Sequence, residues 1–306
     1  MRLTETISHL SHADNSTIYT QKHEPNAFMP KMRCAIIFFL LLTSSLSLFS
    51  TPHIRYNIRY AKQRNEIIKG DTSSDRKLDI YLPKTMKPKA GYPVVLFIHG
   101  GGFMGGDKAL RPSLTKIFGG LLTKGYAVIS INYMLARKAN KQAVAMHRAP
   151  IYQFDKNNKD SHSAVKIAAE DASLALKYLN QKAHSYSLNM SRLVVMGGSA
   201  GAMTSLYLTF VLKPKHASIK AVVNLWGEME HPELIDNPCI PVLTIHGTAD
   251  KTIDYQHGID IQHRLEEIGS DSSRMIILHD RGHAQYDYVG HHLMKDIIEF
   301  LNKRSQ

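Results

Sequence analysis

The stretch Leu193-Val194-Val195-Met196-Gly197-Gly198-Ser199-Ala200-Gly201 decides the fold. Four apolar residues in a row read as a buried strand, and the run from Ala200 to Leu212 carries apolar residues at helical spacing. Between them stands Gly-x-Ser-x-Gly, the spacing of a nucleophile held on a sharp strand-to-helix turn. Glycines are needed there because the backbone is strained and neighbouring chain passes close, and the N-terminus of the following helix favours developing negative charge. The plainer reading is an ordinary strand-helix turn.

Working outward, the same alternation repeats. Strands are expected at Ile54 to Tyr60, Lys77 to Leu82, Val94 to His99, Ala127 to Asn132, Leu193 to Gly197, Ala221 to Leu225, Val242 to His246 and Met275 to Leu278. The first two are expected to run antiparallel to the rest. Helices are expected at Leu114 to Lys124, Ala164 to Lys182, Ala200 to Leu212, Tyr255 to Ile268 and Tyr286 to Lys303, with Ser113 and Ser163 as N-caps. Short apolar runs alternating with amphipathic stretches predict an α/β domain: a mostly parallel eight-stranded sheet with helices on both faces.

Three further fragments fall at the ends of predicted strands. His99-Gly100-Gly101-Gly102-Phe103 follows the strand Val94 to His99, and its glycines leave backbone N–H groups uncovered, as donors to a developing oxyanion must be. Gly100 to Gly105 also satisfies Gly-x-Gly-x-x-Gly. A dinucleotide site is rejected because Lys108 to Pro112 breaks the helix a pyrophosphate would need and no acidic residue closes a following strand. His246-Gly247-Thr248-Ala249-Asp250 lies beyond the strand Val242 to His246, and Gly282-His283 beyond the last one.

The order Ser199, Asp250, His283 is that of a triad on this kind of sheet. A serine hydroxyl is a poor nucleophile until a base takes its proton. His283 would be that base, and Asp250 would hold its imidazole in the right tautomer. Asp254 competes as the acid but is expected inside the start of the next helix. His291 and His292 read as helix-surface residues and His279 as a strand end.

Together these residues resemble the α/β-hydrolases, in particular the carboxylesterase and hormone-sensitive-lipase-like branch, from about Lys77 to the C-terminus. The resemblance implies hydrolysis of short-chain carboxylic esters without metal or organic cofactor. It also implies an oxyanion hole from the N–H groups of Gly101, Gly102 and Ala200. Phe103, Trp226 and Glu228 are candidate substrate contacts, with packing and helix-start roles as the alternatives for the last two. The segment Met134 to Ser163 departs from the family in length and lacks its proline-and-acid continuation, so acyl and alcohol specificity do not carry over. It is expected to be a cap-like insertion or loop.

Export suggests small-molecule or carbohydrate esters as substrates. A prolyl-oligopeptidase-like peptidase shares the sheet and triad, but no propeller fits before Lys77. A non-catalytic binding protein would lack a triad member. Ser163-x-x-Lys166 matches a penicillin-binding serine motif without its partner motifs and is taken as chance.

Composition bounds the rest. With 306 residues, one large domain is the expectation, at 51–306. There are 38 Lys and Arg against 26 Asp and Glu, a net charge of +12, but the charges are scattered with no basic run of five. Nucleic acid is therefore not an expected partner. Lys31, Arg33, the apolar stretch Ala35 to Leu42 and small residues at Ser45 and Ser47 lay out an export signal over 32–50, cleaved near Ser47 to Ser50. Residues 1–31 are polar and aperiodic, and translation is expected to start at Met32. Uncleaved, the stretch would serve as a membrane anchor, although it is shorter than the roughly 20 residues of a spanning helix. Loss of Cys34 with the signal would leave Cys239 alone, with no intrachain disulfide.

Overall fold

A computed structural model of the chain describes residues 54–62, 76–135 and 164–303. The expectations for 1–31 and 32–50, the Ser163 cap and all but the first two residues of the Met134 to Ser163 insertion lie outside the described residues.

The eight strands are β1 Arg55–Arg59, β2 Lys77–Tyr81, β3 Tyr92–Ile98, β4 Ala127–Ile131, β5 Leu188–Gly198, β6 Ile219–Leu225, β7 Val242–Gly247 and β8 Arg274–Leu278. They form one sheet in the order β1-β2-β4-β3-β5-β6-β7-β8. β3 to β8 pair in parallel, and β2 pairs antiparallel with β4 and with β1. The expectation that the first two strands both oppose the rest is corrected. β1 reverses again on β2, so only β2 runs against the sheet.

Alternate side chains of the central strands point to opposite faces. Val95 and Phe97 of β3 pack with Val194 and Met196 of β5 against helix α1 (Thr115–Thr123), α5 (Tyr286–His292) and α6 (Met294–Asn302). Val94, Leu96 and Ile98 face the other way, against α2 (Ala164–Lys182) and α3 (Ala200–Tyr207). α4 (Gln256–Glu267) buries Ile261 and Leu265 against Val222 and Val242. Every residue of β3 and β4 is buried, which is why these strands read as continuous apolar runs.

Local details depart from the periodicity in three places. The helix expected over Ala200 to Leu212 passes from α3 into a π-helical turn at Leu208–Leu212, ending on left-handed Lys213. The hydroxyls of Thr204, Ser205 and Thr209 bond back to the carbonyls of Ala200, Gly201 and Ser205, which loosens the backbone ladder there. The last helix is two, α5 and α6, divided at Leu293. Ser113 is not an N-cap: it lies within a short 3-10 turn, Pro112–Leu114, that leads into α1.

Candidate active site

Strand register brings the four fragments to one end of the sheet. Ile98 pairs with Gly197, Gly198 with Leu225, and Gly247 with Leu278. The loops that follow β3, β5, β6, β7 and β8 therefore leave from one edge. β4 and β5 flank β3 on opposite sides, so the chain reverses direction across the sheet at β3, where open α/β sheets place their crevices. A cleft of about 640 Å³ opens there, and Gly101, Gly102, Ser199, Trp226, Glu228 and His283 all line it.

Ser199 has φ 54° and ψ −125°, a strained left-handed conformation between β5 and α3. The turn is over-determined: the Ser199 N–H donates to Leu225 O at 2.9 Å, and its carbonyl accepts from the N–H groups of Ala202 and Met203. A side chain on Gly201 would collide with the carbonyl of Ile98, which accounts for the glycine two positions after the serine. Positive φ recurs around the cleft at Phe103, Trp226 and Ala284.

Behind the serine, His283 Nδ1 donates to Asp250 Oδ2 at 2.6 Å. Asp250 Oδ1 accepts from the N–H groups of Thr252 and Ile253 at 2.8 and 3.1 Å. Burial pushes the Asp250 carboxyl up, but these donors outweigh it and hold the group below the usual carboxylate range. Asp254 is not within a helix as expected: α4 begins at Gln256, and the Asp254 carboxylate accepts the Gln256 N–H at 2.9 Å.

The glycine loop is clamped from β4. Tyr133 donates its hydroxyl to His99 O at 2.9 Å and stacks on the His99 ring with centroids 4.4 Å apart. The Asn132 side chain accepts from the Lys108 N–H at 2.6 Å and donates to Asp107 Oδ2 at 3.1 Å. Lys108 Nζ in turn lies 3.3 Å from Asp79 on β2, both side chains buried. The Ala200 N–H stands at the start of α3, where an N–H has no intrahelical partner. Sequence reasoning missed this clamp, since each of its members sits unremarkably in a loop or at a strand end.

Of the expected substrate contacts, Trp226 and Glu228 line the cleft and Phe103 does not. The Phe103 ring is fully buried and meets Tyr133 edge-on at 6.3 Å, so it belongs to the core under the glycine loop. An apolar ring turned inward by a left-handed backbone is better served by that packing than by a wet cleft. The Trp226 ring meets Tyr286 edge-on at 4.8 Å and His283 at 6.3 Å. Glu228 pairs with His257 at 3.1 Å, and burial raises its carboxyl against the pull of that imidazole. Asp107, Arg111 and Asp254 complete the charged lining.

This sheet order, with a serine on a strained turn after β5 and loops converging from β3, β7 and β8, is the α/β-hydrolase fold. A family model described as BD-FAE matches residues 78–152. Among solved structures, the chain is similar to a truncated carbohydrate esterase from gut microbiota, with 19% identity and TM-score 0.60 over 82% of this chain and 96% of that one. It is also similar to esterase 2 of Thermogutta terrifontis phosphonylated by cyclosarin, with 16% identity and TM-score 0.59 over 82% and 94%. An inhibited esterase B from Lactobacillus rhamnosis gives 14% identity and TM-score 0.60 over 84% and 88%.

Proposed function

We propose that the chain is a serine carboxylic-ester hydrolase with Ser199 as nucleophile, His283 as general base and acid, and Asp250 as the group that orients His283. The observation that carries this reading is the 2.6 Å bond from His283 Nδ1 to buried Asp250, in a cleft that His283 shares with Ser199. With Nδ1 committed to the carboxylate as a donor, the neutral ring keeps a lone pair on Nε2 to take the serine proton.

Ser199 Oγ attacks the ester carbonyl as His283 accepts its proton. The tetrahedral oxyanion is met by the N–H groups of Gly101, Gly102 and Ala200, each such donor contributing about 3 to 4 kcal/mol to the transition state. Collapse expels the alcohol, protonated by His283. Water, activated by the same imidazole, then releases the acid and restores Ser199.

The substrates proposed are short-chain or carbohydrate-linked acyl esters. The similar structures are esterases, one of them a carbohydrate esterase, which supports that class. Charged groups at Asp107, Arg111, Glu228 and Asp254 suit a hydroxyl-rich alcohol. Export through 32–50 ahead of a domain at 51–306 fits such a substrate, and among the described residues no helix is long and apolar enough to cross a membrane.

A panel of p-nitrophenyl acyl esters beside acetylated and feruloylated sugars tests the reading, together with labelling by a fluorophosphonate mapped by peptide mass. Hydrolysis of esters and labelling at Ser199 are expected. A probe that attaches elsewhere, or turnover that survives Ser199→Ala, would remove Ser199 from the chemistry.

A further inference from the structure

We propose that His246 is a positioning residue of this site, acting on His283 through Asp250; the inference rests on the esterase reading above. His246 stands on β7 between Ile245 and Gly247, and its side chain has no solvent exposure. Its Nε2 faces two oxygens, Ile253 O at 3.1 Å and Asp250 Oδ2 at 3.3 Å. Both can only accept, the one as a carbonyl and the other as an ionised carboxylate. Nε2 must therefore carry the hydrogen, and Nδ1 the lone pair.

That lone pair is buried and has no hydrogen-bond partner among the described residues. Burial works against a second proton on the ring and prevails over the pull of Ile253 O and Asp250, so His246 is a neutral donor.

Nε2–H is donated to Ile253 O, and the same nitrogen lies 3.3 Å from Asp250 Oδ2, the oxygen that binds His283. Asp250 is thus held on both sides: Oδ1 by the N–H groups of Thr252 and Ile253, and Oδ2 by the His283 imidazole with the edge of the His246 ring 3.3 Å behind it. The same Nε2–H reaches Ile253 O and ties down the turn that supplies the Oδ1 donors. Neighbours of His246 on β7 include Val242, Leu243 and Ile245, and an apolar side chain would fill its place without an orphaned nitrogen. An imidazole with an unmet buried acceptor costs stability, and such costs collect where a site needs them. Here the return is a carboxylate that cannot rotate away while His283 becomes an imidazolium. The effect belongs to the transition state and should appear in kcat, not KM.

The test compares wild type, His246→Leu, His246→Gln, His246→Asn and Ser199→Ala in p-nitrophenyl acetate hydrolysis, with circular dichroism and melting of each. Leu removes the donor, and its kcat should fall by about 10- to 100-fold, with KM within about twofold. Gln carries an amide N–H at the reach of Nε2 and should return kcat to within about threefold of wild type, whereas the shorter Asn should not. A Leu or Asn variant as active as wild type overturns the proposal, and so does a folded Gln variant as impaired as Leu. If Leu does not fold, the contrast between Gln and Asn decides. Failure of the esterase reading itself looks different: wild type would then be inert, or Ser199→Ala as active as wild type.

Discussion

His283 Nδ1 and Asp250 Oδ2 lie 2.6 Å apart across 33 residues of chain, the aspartate side chain sealed from solvent and the histidine 19% exposed toward the cleft. Asparagine at 250 would present an amide N–H to a nitrogen that needs an acceptor, or force the wrong tautomer. Asp250→Asn should lower kcat by about 10³- to 10⁴-fold. Asp254→Asn should leave kcat/KM for p-nitrophenyl acetate, which has no hydroxyl-rich alcohol to contact it, within about twofold, because that carboxylate serves the Gln256 N–H. Steady-state kinetics of the two variants separates the two acids, and equal losses would reject the assignment.

Ser199→Ala should remove about 10⁵- to 10⁶-fold of kcat and all labelling by a fluorophosphonate. Alanine tolerates φ 54° about as poorly as serine, so circular dichroism and Tm should stay at wild-type values.

Tyr133→Phe keeps the ring stacked on His99 and deletes the hydroxyl bond to His99 O. The glycine loop then loses one of its anchors to β4. The expected cost is about 1 kcal/mol of stability and about a tenfold drop in kcat at nearly constant KM, since slackened oxyanion donors weaken transition-state binding before ground-state binding. Denaturant melts and esterase kinetics measure both effects, and a loss confined to stability would make Tyr133 a core residue only.

Acid should weaken the fold through His99. Burial, opposed by the Nδ1–H bond to Gly100 O, pushes its imidazole down to about 4 from an ordinary 6.5. The unfolded chain therefore takes the proton first. Stability is full above about pH 6.5 and drains as pH falls toward about 4, by on the order of 3 kcal/mol. His246, also lowered by burial, adds in the same direction. Asp250, held below the usual carboxylate range, contributes its own loss only at lower pH. His99→Asn keeps a donor for Gly100 O but no longer titrates, so its Tm should fall less than that of wild type between about pH 7 and pH 4.5. Parallel pH profiles would contradict this account.

Much of the molecule was legible in one dimension. The central strands could be placed from apolar runs, because each is buried on both faces of the sheet. Ser199 was legible because its turn demands glycine at fixed offsets. Phe103 was misplaced because nothing in a string of letters says which way a side chain leaves a left-handed backbone. The direction of β1 was misjudged because it depends on pairing with β2, whose own direction is set by its antiparallel pairing with β4.

By itself, then, the sequence determined periodicity, turn chemistry and which side chains are proposed as the reactive groups, all of which act over a few residues. Only the tertiary structure decided that Asp250 lies against two imidazoles and that Asn132 and Tyr133 grip the glycine loop. It also decided which carboxylate sits behind His283. Those choices turn on strand register, which sets distances of a few ångströms between residues tens to hundreds of positions apart, and local sequence carries no measure of such distances.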